Sequence, residues 1–276
     1  MIIDARLRPA YKGFLQQFNA ESNRKFSAKF GMTSPESVQQ ASEKLMLEEM
    51  DRAGIKYAVA TGRKGHFRYN ISNDDLVDMV EHFKGRFIGM AGIDASMRGA
   101  ALEEIKRYVV NGPLTGINLE TGAMPEPWYA NDRRIYPVYE LCEEHNIPVI
   151  LMLGGRAGPD VSFSNPTIIS QIARDFPKVR FMLSHGGWPW VPQILCTVLW
   201  QPENIYLCPD LYLHAAGGKA FAEAVRMIPE RIIYGSAYPL MPIEESLQKF
   251  RELVEPQYLE NVLYKNAAGF LGLDLK

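Results

Sequence analysis

Cysteine and histidine are scarce in this chain, and no apolar run is long. Its 276 residues hold 3 cysteines (Cys142, Cys196 and Cys208) and 5 histidines. An odd number of widely spaced cysteines provides no disulfide framework, so a reduced, cytoplasmic protein is expected. The apolar runs fall far short of the roughly 18 residues that cross a bilayer. The opening MIIDARLRP has no apolar signal region. Neither membrane nor export is therefore expected. Charge of one sign is also missing: 30 Lys and Arg stand against 32 Asp and Glu, a net charge of -2. Proteins that coat nucleic acid are normally basic, so nucleic acid is disfavoured as a partner. No Ser/Gly linker, charge block or fixed-period repeat divides the sequence, and one domain over residues 1–276 is expected.

What the chain does contain is an alternation. Eight short apolar runs, at 1–5, 57–61, 86–93, 115–119, 147–152, 179–184, 205–208 and 231–234, read as strands. Most show no in-out alternation, as parallel strands buried on both faces require. Amphipathic stretches separate them. Ser34-Pro35 offers an N-cap and an N1 proline; Val38, Ala41, Leu45, Met46 and Met50 keep helical spacing, and Gly54 ends the run. Asn73-Asp74 opens a second helix through Leu76, Val77, Val80 and Phe83. Further helical stretches cover 100–110, 132–145, 165–176, 190–200, 219–227, 242–254 and 257–271. Eight strands alternating with helices predict a (β/α)8 TIM barrel. An open doubly wound sheet would show a Gly-rich phosphate turn after strand 1, and none is present. The segment 9–33 is long for a βα loop and reads as a lid over the barrel.

In such a barrel the active site lies at the C-terminal strand ends. Arg6 and Arg8 follow strand 1, two apart and so on one face. Arg63 and Lys64 follow strand 2, Glu120 follows strand 4, and Met152 with Gly154-Gly155-Arg156 closes strand 5. His185 follows strand 6, Asp210, Tyr212 and His214 follow strand 7, and Ser236, Ala237 and Tyr238 follow strand 8. Converging cations suit a carboxylate-bearing substrate, because arginine holds a carboxylate in a bidentate fork. Arg6 and Arg8 read as that clamp, or as partners of Asp4 or Glu120. Arg63, Arg156 and Tyr212 read as further substrate contacts. Glu120, Asp210, His185 and Tyr238 are the candidates for proton transfer, although Glu120 reads equally as a salt-bridge partner and Tyr238 as packing. His66, His82 and His145 read as surface residues. Trp188 and Trp190 read as pocket wall or barrel packing. The double glycines 154–155 and 217–218 are weak candidates for anion binding through backbone N–H groups.

The stretches MIIDARLRP, EEMDRAGIKYAV, GRFIGMAGI, LTGINLE, DRRIYPVYELCEEHNIPVILMLGG, FPKVRFMLSHGG, RIIYGSAYP and ENVLYKNAAGFLGL resemble, in order, the amidohydrolase superfamily, in its amidohydrolase-related branch of hydrolases and decarboxylases. The departures from the family pattern carry the functional reading. Metal-binding members usually have His-x-His after strand 1, where this chain has Arg6 and Arg8. The strand-5 histidine falls on Met152 and the strand-8 aspartate on Ala237. The often-seen GIKLH is GINLE, which places Asn118 and Glu120. Only His185 of the usual ligands is kept. Arginine has no lone pair for a cation, so neither metal nor other cofactor is expected.

The resemblance then points to the metal-independent branches that hydrolyse or isomerise lactones. In that reading Arg6 and Arg8 bind the carboxylate or polarise the acyl oxygen. Glu120 or Asp210 takes a proton, and His185 and Tyr238 supply the opposite one. Decarboxylation is disfavoured on the ground that the family's decarboxylases resemble its metal-dependent members. Two alternatives stand beside this. One is a non-catalytic pseudoenzyme that binds an acidic ligand. The other is a metal-dependent hydrolase or decarboxylase using Glu120, His185 and Asp210. The resemblance also allows a homodimer.

Overall fold

A computed structural model describes residues 1–155, 157–200 and 203–273. Seven strands form one parallel sheet in sequence order: β1 (Ile2–Asp4), β2 (Ile55–Thr61), β3 (Phe87–Gly92), β4 (Gly116–Leu119), β5 (Val149–Met152), β6 (Phe181–Ser184) and β7 (Ile205–Cys208). All six strand pairs are parallel. The expected eighth strand at 231–234 is not a member of this sheet, yet it closes the gap. Leu207 N–H donates to the Arg231 carbonyl and Ile233 N–H to that of Leu207, each at 2.8 Å. On the other side Ala5 N–H donates to the Tyr234 carbonyl at 3.0 Å. The segment is bonded on both edges through too few residues to run as a regular strand. The chain is a TIM barrel.

Side chains divide between two cores with the period of two that strands impose. Ile3, Val59, Met90, Ile150, Met182, Cys208 and Ile233 fill the barrel interior. Their neighbours, among them Ala58, Ala91, Val149, Leu183, Leu207 and Ile232, pack outward against the helices. The alternation at 232–233 matches that of the seven strands, which explains why this segment reads as a strand in sequence.

The helices are α1 (Ala20–Ala28), α2 (Glu36–Gln39), α3 (Glu43–Ala53), α4 (Asn73–His82), α5 (Arg98–Ile105), α6 (Tyr136–Glu144), α7 (Pro166–Asp175), α8 (Val191–Trp200), α9 (Lys219–Ala224), α10 (Ile243–Leu253) and α11 (Asn266–Leu271). Their starts are chemically marked: Ser42, Ser72 and Asn165 each accept a backbone N–H from the first turn. The single helix expected from Ser34 to Gly54 is two. Ala41 takes φ +48°, which ends α2, and Ser42 caps α3 one residue later. Gly54 ends α3 in the left-handed conformation, φ 74°. Helix α11 places Ala267, Ala268, Phe270 and Leu271 in the interior core, plugging the N-terminal end of the barrel. None of the helices is long and apolar enough to cross a membrane among the described residues.

The segment 9–33 is folded. It carries a 3-10 turn at Lys12–Gln17 and then α1. Met32, Phe26 and Phe30 join Leu211, Ala237, Met241, Tyr212 and Leu240 in a small core of their own. Ser27 Oγ donates to the Leu240 carbonyl at 2.7 Å. The segment thus lies on the connections that follow β7 and the eighth segment, at the C-terminal end.

Candidate active site

Three guanidiniums, two carboxylates and two imidazoles converge beyond the strand ends: Arg6, Arg8, Arg63, Glu120, Asp210, His66 and His185. All are buried. The chain reaches this end with local strain. His185, Asp210 and Ala237, which follow β6, β7 and the eighth segment, have φ of 69°, 43° and 64°. Non-glycine residues avoid that region, and such strain concentrates at functional sites.

One half of the site is a dyad. His185 Nδ1–H donates to Asp210 Oδ1 at 2.9 Å, and Oδ2 of the same carboxylate lies 3.4 Å from Arg6 Nε. With Nδ1 committed to Asp210, the imidazole presents Nε2, which bonds to no described residue. Tyr212 meets the His185 ring edge-on at 5.1 Å and stacks on Trp188 at 4.7 Å. Trp188 is fixed by its Nε1–H to the Ala216 carbonyl at 3.0 Å. The double glycine that follows β5 serves this packing. A Cβ on Gly154 would stand 2.7 Å from His185 Cβ, and one on Gly155 would stand 2.2 Å from the Tyr212 hydroxyl. Close approach of side chains therefore accounts for these glycines without a phosphate.

The other half is built around Glu120. Its Oε1 accepts from Arg63 Nε and from Asn118 Nδ2, each at 3.1 Å. His66 Nε2 faces Oε2 at 3.6 Å. Burial pushes this carboxyl up, but Arg63, Arg8, His66 and Arg6 outweigh burial and hold it at about 2. Burial, with repulsion from Arg63, pulls His66 down to about 4.

Arg8 stands between the halves. It donates to Thr61 Oγ1 at 3.2 Å, its Nε has no acceptor, and no carboxylate pairs with it among the described residues. Burial, with repulsion from Arg6 and Arg63, pulls it down to about 9, so it remains a cation at neutral pH. A charge with 6% exposure and no directly paired carboxylate among the described residues is costly to hold. An incoming anion relieves that cost. The cluster carries three guanidiniums against two carboxylates, with the buried Asp4 carboxyl behind Arg6.

The sequence-derived residues distribute as follows. Arg6, Arg8, Arg63, Glu120, His185 and Asp210 come together, with Tyr212 against His185. Arg6 pairs with Asp210, not with Asp4 or Glu120. Tyr238 does not join them. It is fully buried, its hydroxyl donates to Ser37 Oγ at 3.0 Å, and its ring packs on Phe18 at 5.8 Å. Arg156 lies outside the described residues. His66, expected at the surface, is 9% exposed and belongs to the site. The loop 63–71 folds back, with Arg63 and Ile71 exchanging backbone hydrogen bonds of 3.1 and 2.8 Å, and Phe67 N–H donates to the Ala123 carbonyl at 3.0 Å. That long-range closure buries His66, and no local pattern announces it.

The family's metal does not fit these side chains. By the family resemblance, Arg6, Arg8, Met152 and Ala237 stand where metal ligands are usual, and His185 is bonded to Asp210. No three His, Cys, Asp or Glu side chains converge to hold a cation among the described residues, and guanidiniums would repel one.

A family model described as Amidohydrolase matches residues 3–273. An uncharacterised TIM-barrel protein from Bordetella bronchiseptica is 35% identical over 98% of each chain, with a TM-score of 0.91. A 5-carboxyvanillate decarboxylase from Novosphingobium aromaticivorans, solved with manganese and 4-hydroxy-3-methoxy-5-nitrobenzoic acid, aligns over 99% of this chain and 96% of its own. Its TM-score is 0.70 at 14% identity, a likeness of fold. The 2-amino-3-carboxymuconate-6-semialdehyde decarboxylase of Dictyostelium discoideum is 24% identical in an alignment 250 positions long, which covers 73% of this chain and 66% of that protein's length. The relatives with named activities here are decarboxylases, so hydrolysis is not carried by them. The fold, the ordered strand-end motifs and the family match agree, and the chain belongs to the amidohydrolase family.

Proposed function

We propose that the chain is an enzyme acting on a small carboxylate-bearing substrate without a metal ion, with the opening of a lactone as the most direct reaction. The observation that carries this is Arg8, a buried guanidinium with no carboxylate at ion-pair distance among the described residues and an unfilled donor at Nε. The substrate carboxylate binds there. His185 Nε2 takes a proton from water, and Asp210 holds the imidazole in the productive tautomer and balances the imidazolium that forms. Arg6 stabilises the oxyanion as water adds to the acyl carbon. The protonated His185 then returns the proton to the departing ring oxygen. Glu120, held ionised and bonded to Arg63, is a weak base and serves to position that guanidinium. The segment 9–33 covers the site as a lid.

A second reading is favoured by the named relatives: decarboxylation. The same parts suffice in outline. The substrate carboxylate leaves as CO2, and the electron pair left on carbon takes the Nε2 proton of His185 in its imidazolium form, which water then replaces.

Turnover of a panel of carboxylated lactones and unsaturated carboxylic acids, followed by pH-stat and CO2 detection in the presence of chelator, separates the two. Lactone opening near pH 8 releases a proton per turnover without CO2. Decarboxylation releases CO2. Binding of carboxylates with neither signal would favour a non-catalytic, ligand-binding barrel.

A further inference from the structure

The loop 63–71 brings a polar arrangement to the site that the proposed reaction does not use. Glu120 Oε1 is engaged by Arg63 and Asn118. Its Oε2 is buried and accepts no hydrogen bond among the described residues. His66 Nε2 faces that oxygen at 3.6 Å, beyond direct hydrogen-bond reach. The proton on the His66 ring is assigned by its other nitrogen. Arg68 N–H donates to Nδ1 at 3.0 Å, so Nδ1 is the acceptor and Nε2 carries the hydrogen. The ring is held in place, stacked on Phe67 at 4.8 Å, while the Arg63 guanidinium lies 4.5 Å from the Tyr69 ring centre. Arg8 Nε, also buried, lacks an acceptor nearby.

A buried acceptor left without a hydrogen bond is costly, and the His66 N–H beside Glu120 Oε2 is an available donor. The group that completes them must both accept and donate. A second carboxylate is repelled by Glu120. A carbonyl or ether accepts from His66 but has no proton for Glu120. An ammonium is repelled by Arg8 and Arg63. A hydroxyl satisfies both, accepting from His66 Nε2–H and donating to Glu120 Oε2. We propose that Glu120 and His66 form a hydroxyl-recognition subsite, so that the ligand is a hydroxy acid whose carboxylate lies on Arg8 and whose hydroxyl sits beside the pair, within reach of both Glu120 Oε2 and His66 Nε2. The inference rests on the reading of Arg8 as the carboxylate receptor.

The protonation states agree with this role at neutral pH. Glu120 is ionised and acceptor-only, and His66 is uncharged. A site that hydrogen-bonds a substrate hydroxyl rejects the analogue that lacks it, because its own buried groups are then left unpaired.

Calorimetric titration of the full chain with matched acids tests this: lactate against propionate, 3-hydroxybutyrate against butyrate, and the three hydroxybenzoates against benzoate. In at least one pair the hydroxylated acid is expected to bind about tenfold tighter or more, the range of a hydrogen bond to a charged group. His66→Leu is expected to bring that ratio towards one, and His66→Gln, which keeps an N–H donor, to restore part of it. Acids that bind in every pair with ratios near one overturn the hydroxyl subsite and leave the carboxylate reading standing. So does a preference that His66→Leu leaves intact. Failure of every acid to bind overturns the carboxylate reading, and this inference with it. The wild-type comparison decides even where a variant fails to fold.

Discussion

His185 and Asp210 form a hydrogen-bonded dyad, Nδ1 to Oδ1 at 2.9 Å, at the ends of β6 and β7. Ala237 stands where the family resemblance implies an aspartate after strand 8, and the carboxylate that meets His185 comes from the neighbouring strand end. Oδ2 of that carboxylate also lies 2.8 Å from His185 Nδ1, and Arg6 Nε approaches it at 3.4 Å.

Loss of either dyad member is expected to reduce kcat more than it changes KM. His185→Gln removes the proton acceptor and is expected to lower kcat by about 10²- to 10⁴-fold. Asp210→Asn keeps the shape but favours the wrong imidazole tautomer, with a loss of similar order. Steady-state kinetics on the substrate found by the turnover panel measure both. Variants with wild-type kcat would remove His185 from proton transfer.

Arg8→Met separates binding from stability. Methionine fills the volume without a buried unpaired charge, so the free protein is expected to gain about 1–3 kcal/mol in denaturant unfolding. Carboxylate binding is expected to be lost in calorimetry. A destabilised variant, or one that still binds, would contradict the reading of Arg8 as a receptor waiting for an anion.

Tyr238→Phe removes the hydroxyl that donates to Ser37. A cost of about 1 kcal/mol in stability is expected, with kcat preserved, because the hydroxyl is engaged away from the dyad. A collapse of kcat with the fold intact would return Tyr238 to the chemistry.

Stability is expected to fall in two stages as pH is lowered. His66 and His214 are held at about 4 in the folded chain, below the ordinary histidine value near 6.5. Their uncharged forms favour folding, so their contribution is complete above about 6.5 and is lost as pH falls towards 4. Glu120, held at about 2, contributes above the ordinary carboxylate range and loses that contribution as pH falls from about 4.5 through 2. Asp4, raised by burial, acts in the opposite sense. Denaturant midpoints between pH 7 and 3 measure the first stage, and His66→Leu is expected to flatten it.

The barrel was legible because most strands are apolar runs and several helices, α3, α4 and α7 among them, begin on a capping side chain, and these signals are local. The strand ends were legible because the fold fixes where they point, which located Arg6, Arg8, Glu120, His185 and Asp210. Non-local closure was hidden. His66 sits in the basic, aromatic stretch RKGHFRYN, which reads as a solvated loop, and only the Arg63–Ile71 pairing and the Phe67–Ala123 bond turn it inward. Tyr238 follows the eighth segment as expected, but Ser37 and Phe18 claim its side chain from far along the chain. The break at Ala41 was hidden for another reason: helical spacing continues across it, and only φ changes sign.

The most direct test of arginines in place of a metal is the metal content of protein purified without chelator or metal-binding tag, measured by inductively coupled plasma mass spectrometry. Arg6, Arg8, Met152 and Ala237 offer no cation a ligand set, so less than about a tenth of an equivalent of zinc, manganese or iron is expected. About one equivalent, whose removal abolishes carboxylate binding and whose return restores it, would contradict the account and make Glu120, His185 and Asp210 ligands.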